Sequence, residues 1–215
     1  MYSTDLTKIK LDEFVKHLRS IQLLPSQKVL LNDIDLNFKK LAEMGMSNLA
    51  EIHKLLKNKT NQSILSQKLD IAPEYLNILQ RVINSYEVKS MSIDKIGVFT
   101  ETELNILKNK KISTTQNYYE YFIKNPSVDG ISTNKLKYAL QIIDLLRING
   151  VGIEYARILY EIGIKSVADY KNTKSEAILE QFKDANVKKK LTKSNLGFND
   201  IEYCRRFCDK LDCEI

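Results

Sequence analysis

The sequence predicts an all-α chain of about a dozen short helices, and three observations carry that prediction. Apolar residues recur at helical spacing: Tyr155, Ile158, Leu159 and Ile162, and before them Leu136, Leu140 and Ile143, lie on single helix faces, whereas no convincing alternating strand occurs. The three prolines, Pro25, Pro73 and Pro126, stand where a helix starts or a loop turns. All seven glycines (45, 97, 130, 150, 152, 163 and 197) fall at or beside predicted turns, so none interrupts a helical pattern.

The elements follow in order as a repeated unit. Residues 1–30 form an N-terminal helical segment without an internal match. After it, "LAEMGMSNLAEI" (41–52) aligns with "LYEIGIKSVADY" (159–170): Leu41 with Leu159, Gly45 with Gly163, Asn48 with Ser166, and Glu51 with Asp169. A third copy, "LKNKKISTTQNY" (107–118), keeps Leu107, Ile112 and Thr114 but carries Lys111 in place of the glycine. In each copy a helix ends at a left-handed residue, the next apolar residue (Met46, Ile112 or Ile164) turns back into the core, and Asn48, Thr114 or Ser166 caps the following helix. Glu51 and Asp169 are spaced for a capping-box contact.

A second hook lies between these copies, in "LDIAPEY" (69–75), "VDGISTNKL" (128–136) and "NLGFNDIEY" (195–203). There Ile71, Ile131 and Phe198 precede a helix start, and all six hook residues are expected to be buried. The chain therefore divides into the segment 1–30, a diverged unit 31–92, and a tandem pair 93–145 and 146–215. No Gly/Ser-rich or Pro-rich linker separates them, so packed junctions are expected.

Composition limits the function classes. With 33 Lys plus Arg interspersed among 27 Asp plus Glu, the net charge of +6 offers only a mild pull on nucleic acid. The basic runs "KNKK" (108–111) and "KKK" (188–190) read first as solvated faces. A polar start and the lack of a long uncharged apolar run imply no membrane span and a cytoplasmic location. Cys204, Cys208 and Cys213 lie far in sequence from His17 and His53, which gives no metal-ligand pattern and no disulfide framework. Neither a metal nor a cofactor is expected.

Residues 146–166, with Leu146, Ile148, Gly150-Val151-Gly152, Ala156, Leu159 and Gly163, resemble a helix-hairpin-helix motif: an apolar residue, a Gly-apolar-Gly turn, a small residue four later and a closing Gly-apolar pair. More broadly, residues 93–215 resemble an uncharacterised family of tandem helix-hairpin-helix modules, with 31–86 as a diverged copy and 1–30 outside. The resemblance implies a SAM/helix-hairpin-helix-like fold and contact with a nucleic-acid backbone irrespective of sequence. On that basis Arg147, Gly150, Val151, Gly152 and Arg157 are the candidate nucleic-acid-binding residues, and double-stranded or branched DNA the candidate partner. First-turn amides at a helix N-terminus and a turn without side chains suit a phosphate.

Other residues favour a different role. Glu154, second in the following helix, puts negative charge where a phosphate approaches. In the other copies the turn positions read "NDID" (32–35) and "IGVFTETE" (96–103), whose carboxylates do not suit an anion site, so a packing role is expected there. Helix-hairpin-helix glycosylases with lyase activity carry a lysine where this chain has Glu154, and Asp169 is placed as a cap, so no enzyme is expected. The sequence thus leaves two readings: a DNA-backbone binder acting through 147–157, or a protein-interaction module whose hairpins only pack.

Overall fold

The computed structural model describes residues 1–189 and 196–215. All regular secondary structure among them is helical, with three isolated bridges and no sheet. The fold is all-α. The chain forms two compact units, Asp5–Glu87 and a second made of Val88–Ile215 together with Met1–Thr4. The first unit is thus an insertion between residues 4 and 88 of the second, a division that falls at 87/88.

In the Asp5–Glu87 unit, α1 (Leu11–Ser20), α2 (Ile34–Glu43), α3 (Leu49–Leu56), α4 (Lys59–Leu69) and α5 (Pro73–Asn84) follow a 3-10 turn at Leu6–Lys8, with a second at Pro25–Leu31 between α1 and α2. Phe14 anchors the core, packing on Phe38 at 6.1 Å and Tyr86 at 5.8 Å between ring centres. Leu41, Leu49, Ile52, Leu79 and Ile83 complete it, each with no exposed surface. His17 Nε2 and the Tyr86 hydroxyl, 2.6 Å apart, pair across this core.

The second unit holds a 3-10 turn at Ile93–Ile96, then α6 (Glu101–Asn109), α7 (Thr115–Phe122), α8 (Thr133–Leu146), α9 (Ile153–Glu161), α10 (Val167–Asn172), α11 (Ser175–Lys189) and α12 (Phe198–Cys208). Helix α8 is the axis, packed against α7 and α9, while α12 packs on α10 and α11. Its buried face (Leu136, Ala139, Ile142, Ile143, Leu145, Leu146) follows from the apolar run that the sequence shows.

The repeated hook has one hydrogen-bond pattern in all three copies. Gly45, Lys111 and Gly163 adopt φ of 88°, 62° and 92°. Their N–H groups donate to Ala42, Lys108 and Tyr160, and the next amides, of Met46, Ile112 and Ile164, donate to Leu41, Leu107 and Leu159. This paired arrangement satisfies the last carbonyls of a helix and forces the following apolar residue inward. Lys111 holds the same conformation without glycine's freedom, a local strain that its pattern of contacts outweighs. Asn48, Thr114 and Ser166 then accept hydrogen bonds from the amides of Glu51, Asn117 and Asp169.

Two expectations need correction. Five hook residues are buried, but Phe198 is 42% exposed: it begins α12 on its solvent side, and Leu196 and Ile201 turn inward instead. Glu51 and Asp169 do not close capping boxes on the cap residue's own amide. Each carboxylate accepts from the residue before the cap, Ser47 at 2.6 Å and Lys165 at 2.9 Å.

Candidate functional site

The turn that joins α8 to α9 is built from its backbone. The Val151 amide donates to Ile148 at 3.0 Å, closing a turn whose third residue, Gly150, has φ of 95°. A Cβ on Gly150 would stand 2.9 Å from the Cys204 sulfur and 3.3 Å from the Tyr203 ring, so glycine is required both for the turn and for the close passage of α12. Gly152 differs. It caps α9 at φ −88°, a Cβ there would meet no neighbour, and the position is open to solvent. Val151 and Ala156 are buried between these helices.

The two arginines have separate fates. Arg147 is not available to an external phosphate: its side chain has no exposed surface and ion-pairs with Asp144. Its remaining donors reach the Tyr2 carbonyl at 2.9 Å, the Met1 carbonyl at 2.9 Å, the Asp212 carbonyl at 2.8 Å and the Tyr119 hydroxyl. Arg147 therefore leaves the set of candidate binding residues, because a guanidinium with every donor engaged and no solvent contact holds structure together. Arg157 is exposed, with one nitrogen donating at 2.7 Å to Ile96 O at the end of the 3-10 turn.

Asp144 explains the buried arginine. In the two earlier copies the first amide after the cap donates to an upstream backbone carbonyl, Leu49 to Ile9 and Thr115 to Met91. In the third copy the Val167 amide donates instead to the Asp144 carboxylate at 2.7 Å. Burial pushes the Asp144 pKa up, and the Arg147 charge and the Val167 amide oppose that shift. The fragment "QIIDLLRING" held the signal for this pair: two opposite charges three apart inside an apolar helix.

Beside the turn lies a pocket of about 690 Å³. Ile153, Tyr155, Ile158 and Phe182 form its apolar side, Tyr203 and Cys204 of α12 its opposite wall, and the backbone of Gly150 and Gly152 its edge. Tyr155 and Phe182 meet edge to face at 5.8 Å. The Tyr155 and Tyr170 hydroxyls lie 3.2 Å apart, and Tyr170 donates to Ile201 O, which ties the pocket wall to α12. Two carboxylates, Glu154 and Asp200, are exposed at the pocket. One Asp200 oxygen accepts from the Gly197 amide at 2.9 Å. Burial pushes the Cys204 thiol up to about 12, so it is a wall residue and not a nucleophile.

The pocket was not legible beforehand, since Phe182, Asp200 and Tyr203 are brought to the turn only by the packing of α11 and α12. The other two turns differ in their caps: Glu103 closes a capping box on Thr100, and Asp33 starts α2 at φ of 47°. The run 108–111 is exposed; of 188–190, Lys188 is exposed and Lys190 lies outside the described residues.

With this geometry in hand, comparison with known proteins adds one relation. The sequence matches the family Domain of unknown function (DUF4332) over residues 95–206. The chain belongs to the DUF4332 family. That span covers α6 to most of α12, and so contains the turn, the pocket and the Asp144–Arg147 pair, but neither residues 1–4 nor the Asp5–Glu87 unit. No curated protein and no solved structure matches the chain. No described helix is long and apolar enough to cross a membrane.

Proposed function

We propose that this chain is a non-enzymatic binding module whose DUF4332 domain recognises a segment of a protein partner at the pocket beside the 147–157 turn. The observation that carries the reading is the composition of the pocket: an apolar and aromatic interior roomy enough for more than one side chain, with two carboxylates at its edge. An apolar side chain entering it removes its surface from water, at about 25 cal/mol per Å², and a neighbouring Lys or Arg meets Glu154 and Asp200. Phosphates, by contrast, are repelled by both carboxylates.

A second reading, DNA-backbone binding, has its own support. The resemblance of 146–166 to a helix-hairpin-helix motif, the exposed start of α9 at Gly152 and the exposed Arg157 favour it. A single substitution moves the two readings in opposite directions. Glu154→Lys weakens a cationic, leucine-rich probe peptide and strengthens duplex DNA if DNA is a ligand. The measurement is fluorescence anisotropy with Leu/Lys and Leu/Glu peptides and with duplex and branched DNA, at about 50 mM salt where backbone contacts are strongest. Peptide binding that requires lysine and falls at least tenfold in Glu154→Lys supports the pocket. Steeply salt-dependent DNA binding that falls in Arg157→Ala, with no peptide binding, overturns it.

A further inference from the structure

We infer that the Val88–Ile215 unit carries a peptide groove with a tyrosine slot, and that residues 1–4 of this chain occupy it as an intramolecular ligand. Three independent kinds of contact make the groove. Tyr2 is 1% exposed; its hydroxyl lies 2.8 Å from Thr115 Oγ1 and its ring meets Tyr119 edge to face at 5.7 Å. The main chain is read by Arg147, which donates to the carbonyls of both Met1 and Tyr2 at 2.9 Å. The segment's exit is held by the Val88 amide, which donates to Ser3 Oγ at 2.9 Å.

These are features by which a peptide segment is recognised: a pocket for one side chain gives selectivity, and main-chain hydrogen bonds give affinity. What separates this segment from an ordinary piece of core is its connection. All of Asp5–Glu87 intervenes before the chain returns at Val88, and that stretch forms a compact unit of its own. Residues 1–4 therefore reach the groove as a tethered ligand whose hold depends on effective concentration as well as contacts. The polar groups of the groove are also built independently of it: Asp144 and Tyr119 hold Arg147 from inside the unit. The ligand class follows as a peptide segment of the pattern X-Tyr-Ser, of which residues 1–4 are the occupant in this structure.

The test uses the full chain with the strap weakened, Tyr2→Ala, and a fluorescent peptide of sequence Met-Tyr-Ser-Thr-Asp-Leu. Saturable binding to Tyr2→Ala at least tenfold tighter than to the wild type, whose own strap competes, is expected. The same peptide with alanine in place of tyrosine binds neither. Adding Thr115→Val to Tyr2→Ala weakens the peptide by about three- to tenfold, as expected for one lost hydrogen bond. A folded Tyr2→Ala protein, judged by circular dichroism, that binds no peptide at millimolar concentration overturns the inference and leaves residues 1–4 as fixed core. Should Tyr2→Ala not fold, Tyr2→Phe decides: peptide binding above the wild-type level supports the groove, and binding equal to wild type overturns it.

Discussion

At the scale of single residues, the three glycines near the turn have three different reasons to be there, and the reasons predict different costs. Gly150 combines a positive φ with a neighbour at 2.9 Å, so Gly150→Ala should lose at least about 2 kcal/mol in denaturant unfolding. Gly163 meets no neighbour and needs glycine only for its φ, so its replacement by Ala should cost about 1 kcal/mol. Gly152→Ala, free of both constraints, should cost less than about 1 kcal/mol, the penalty of a weaker cap. The degenerate hook gives the converse. Lys111 pays the left-handed strain, so Lys111→Gly should stabilise the protein by about 0.5–1 kcal/mol after the entropy lost by glycine is subtracted. Thiol labelling provides a further residue-scale check. Burial pushes Cys204 and Cys208 up to about 12, while Cys213 is exposed. At pH 8 the native protein should label only at Cys213, and mass spectrometry after unfolding should show all three.

Between helices, the most informative contact is the one that joins α6 to α8. Glu103 closes the capping box on Thr100 and accepts from Lys135 at 2.8 Å through both carboxylate oxygens. The Lys135 contact first, and the Thr100 amide second, hold the Glu103 pKa below its ordinary value of 4.5. Because the folded value is depressed, the contact stabilises the protein above the unfolded pKa, and that stability is lost as pH falls through the folded one. Lys135→Met should therefore lower the melting temperature at pH 7, and by less at a pH well below 4.5. Equal losses at both values would assign Lys135 a packing role alone. At the same scale, the hooks were readable because they depend on local backbone rules: a left-handed stop, an inward apolar residue and a cap that accepts from the amide three residues later. Phe198 failed that rule because Leu196 and Ile201 already fill the inward positions on either side of it.

For the whole molecule, the family boundary and the physical boundary of the core do not coincide. The DUF4332 match ends at 95 and 206, yet Ile93, Cys208 and Leu211 are buried in the same core as Ile142 and Leu159. Removing large side chains from a core costs about 2–5 kcal/mol each, and domains are stable by only about 5–15 kcal/mol. A fragment of residues 95–206 should therefore show helical circular dichroism without a cooperative melt, whereas the full chain melts cooperatively. A sharp transition in the fragment would show that the family span is self-sufficient and that the flanking residues merely cover it.

Helix class, the three hooks and their caps were set by the sequence alone, since each depends on residues within about ten positions: periodicity, a positive-φ stop, a side chain that reaches the next helix's first turn. The fate of charged and aromatic residues depended instead on distant partners. Arg147 reads as a surface cation beside a turn until Tyr2, Tyr119 and Asp212, none of them near it in sequence, surround it. Likewise Glu154 and Asp200 share one pocket only because α12 packs against the turn through the space that Gly150 leaves open. Burial and electrostatics are properties of what the folded chain brings together, and beyond the i,i+3 spacing of Asp144 and Arg147 no local pattern encodes that neighbourhood.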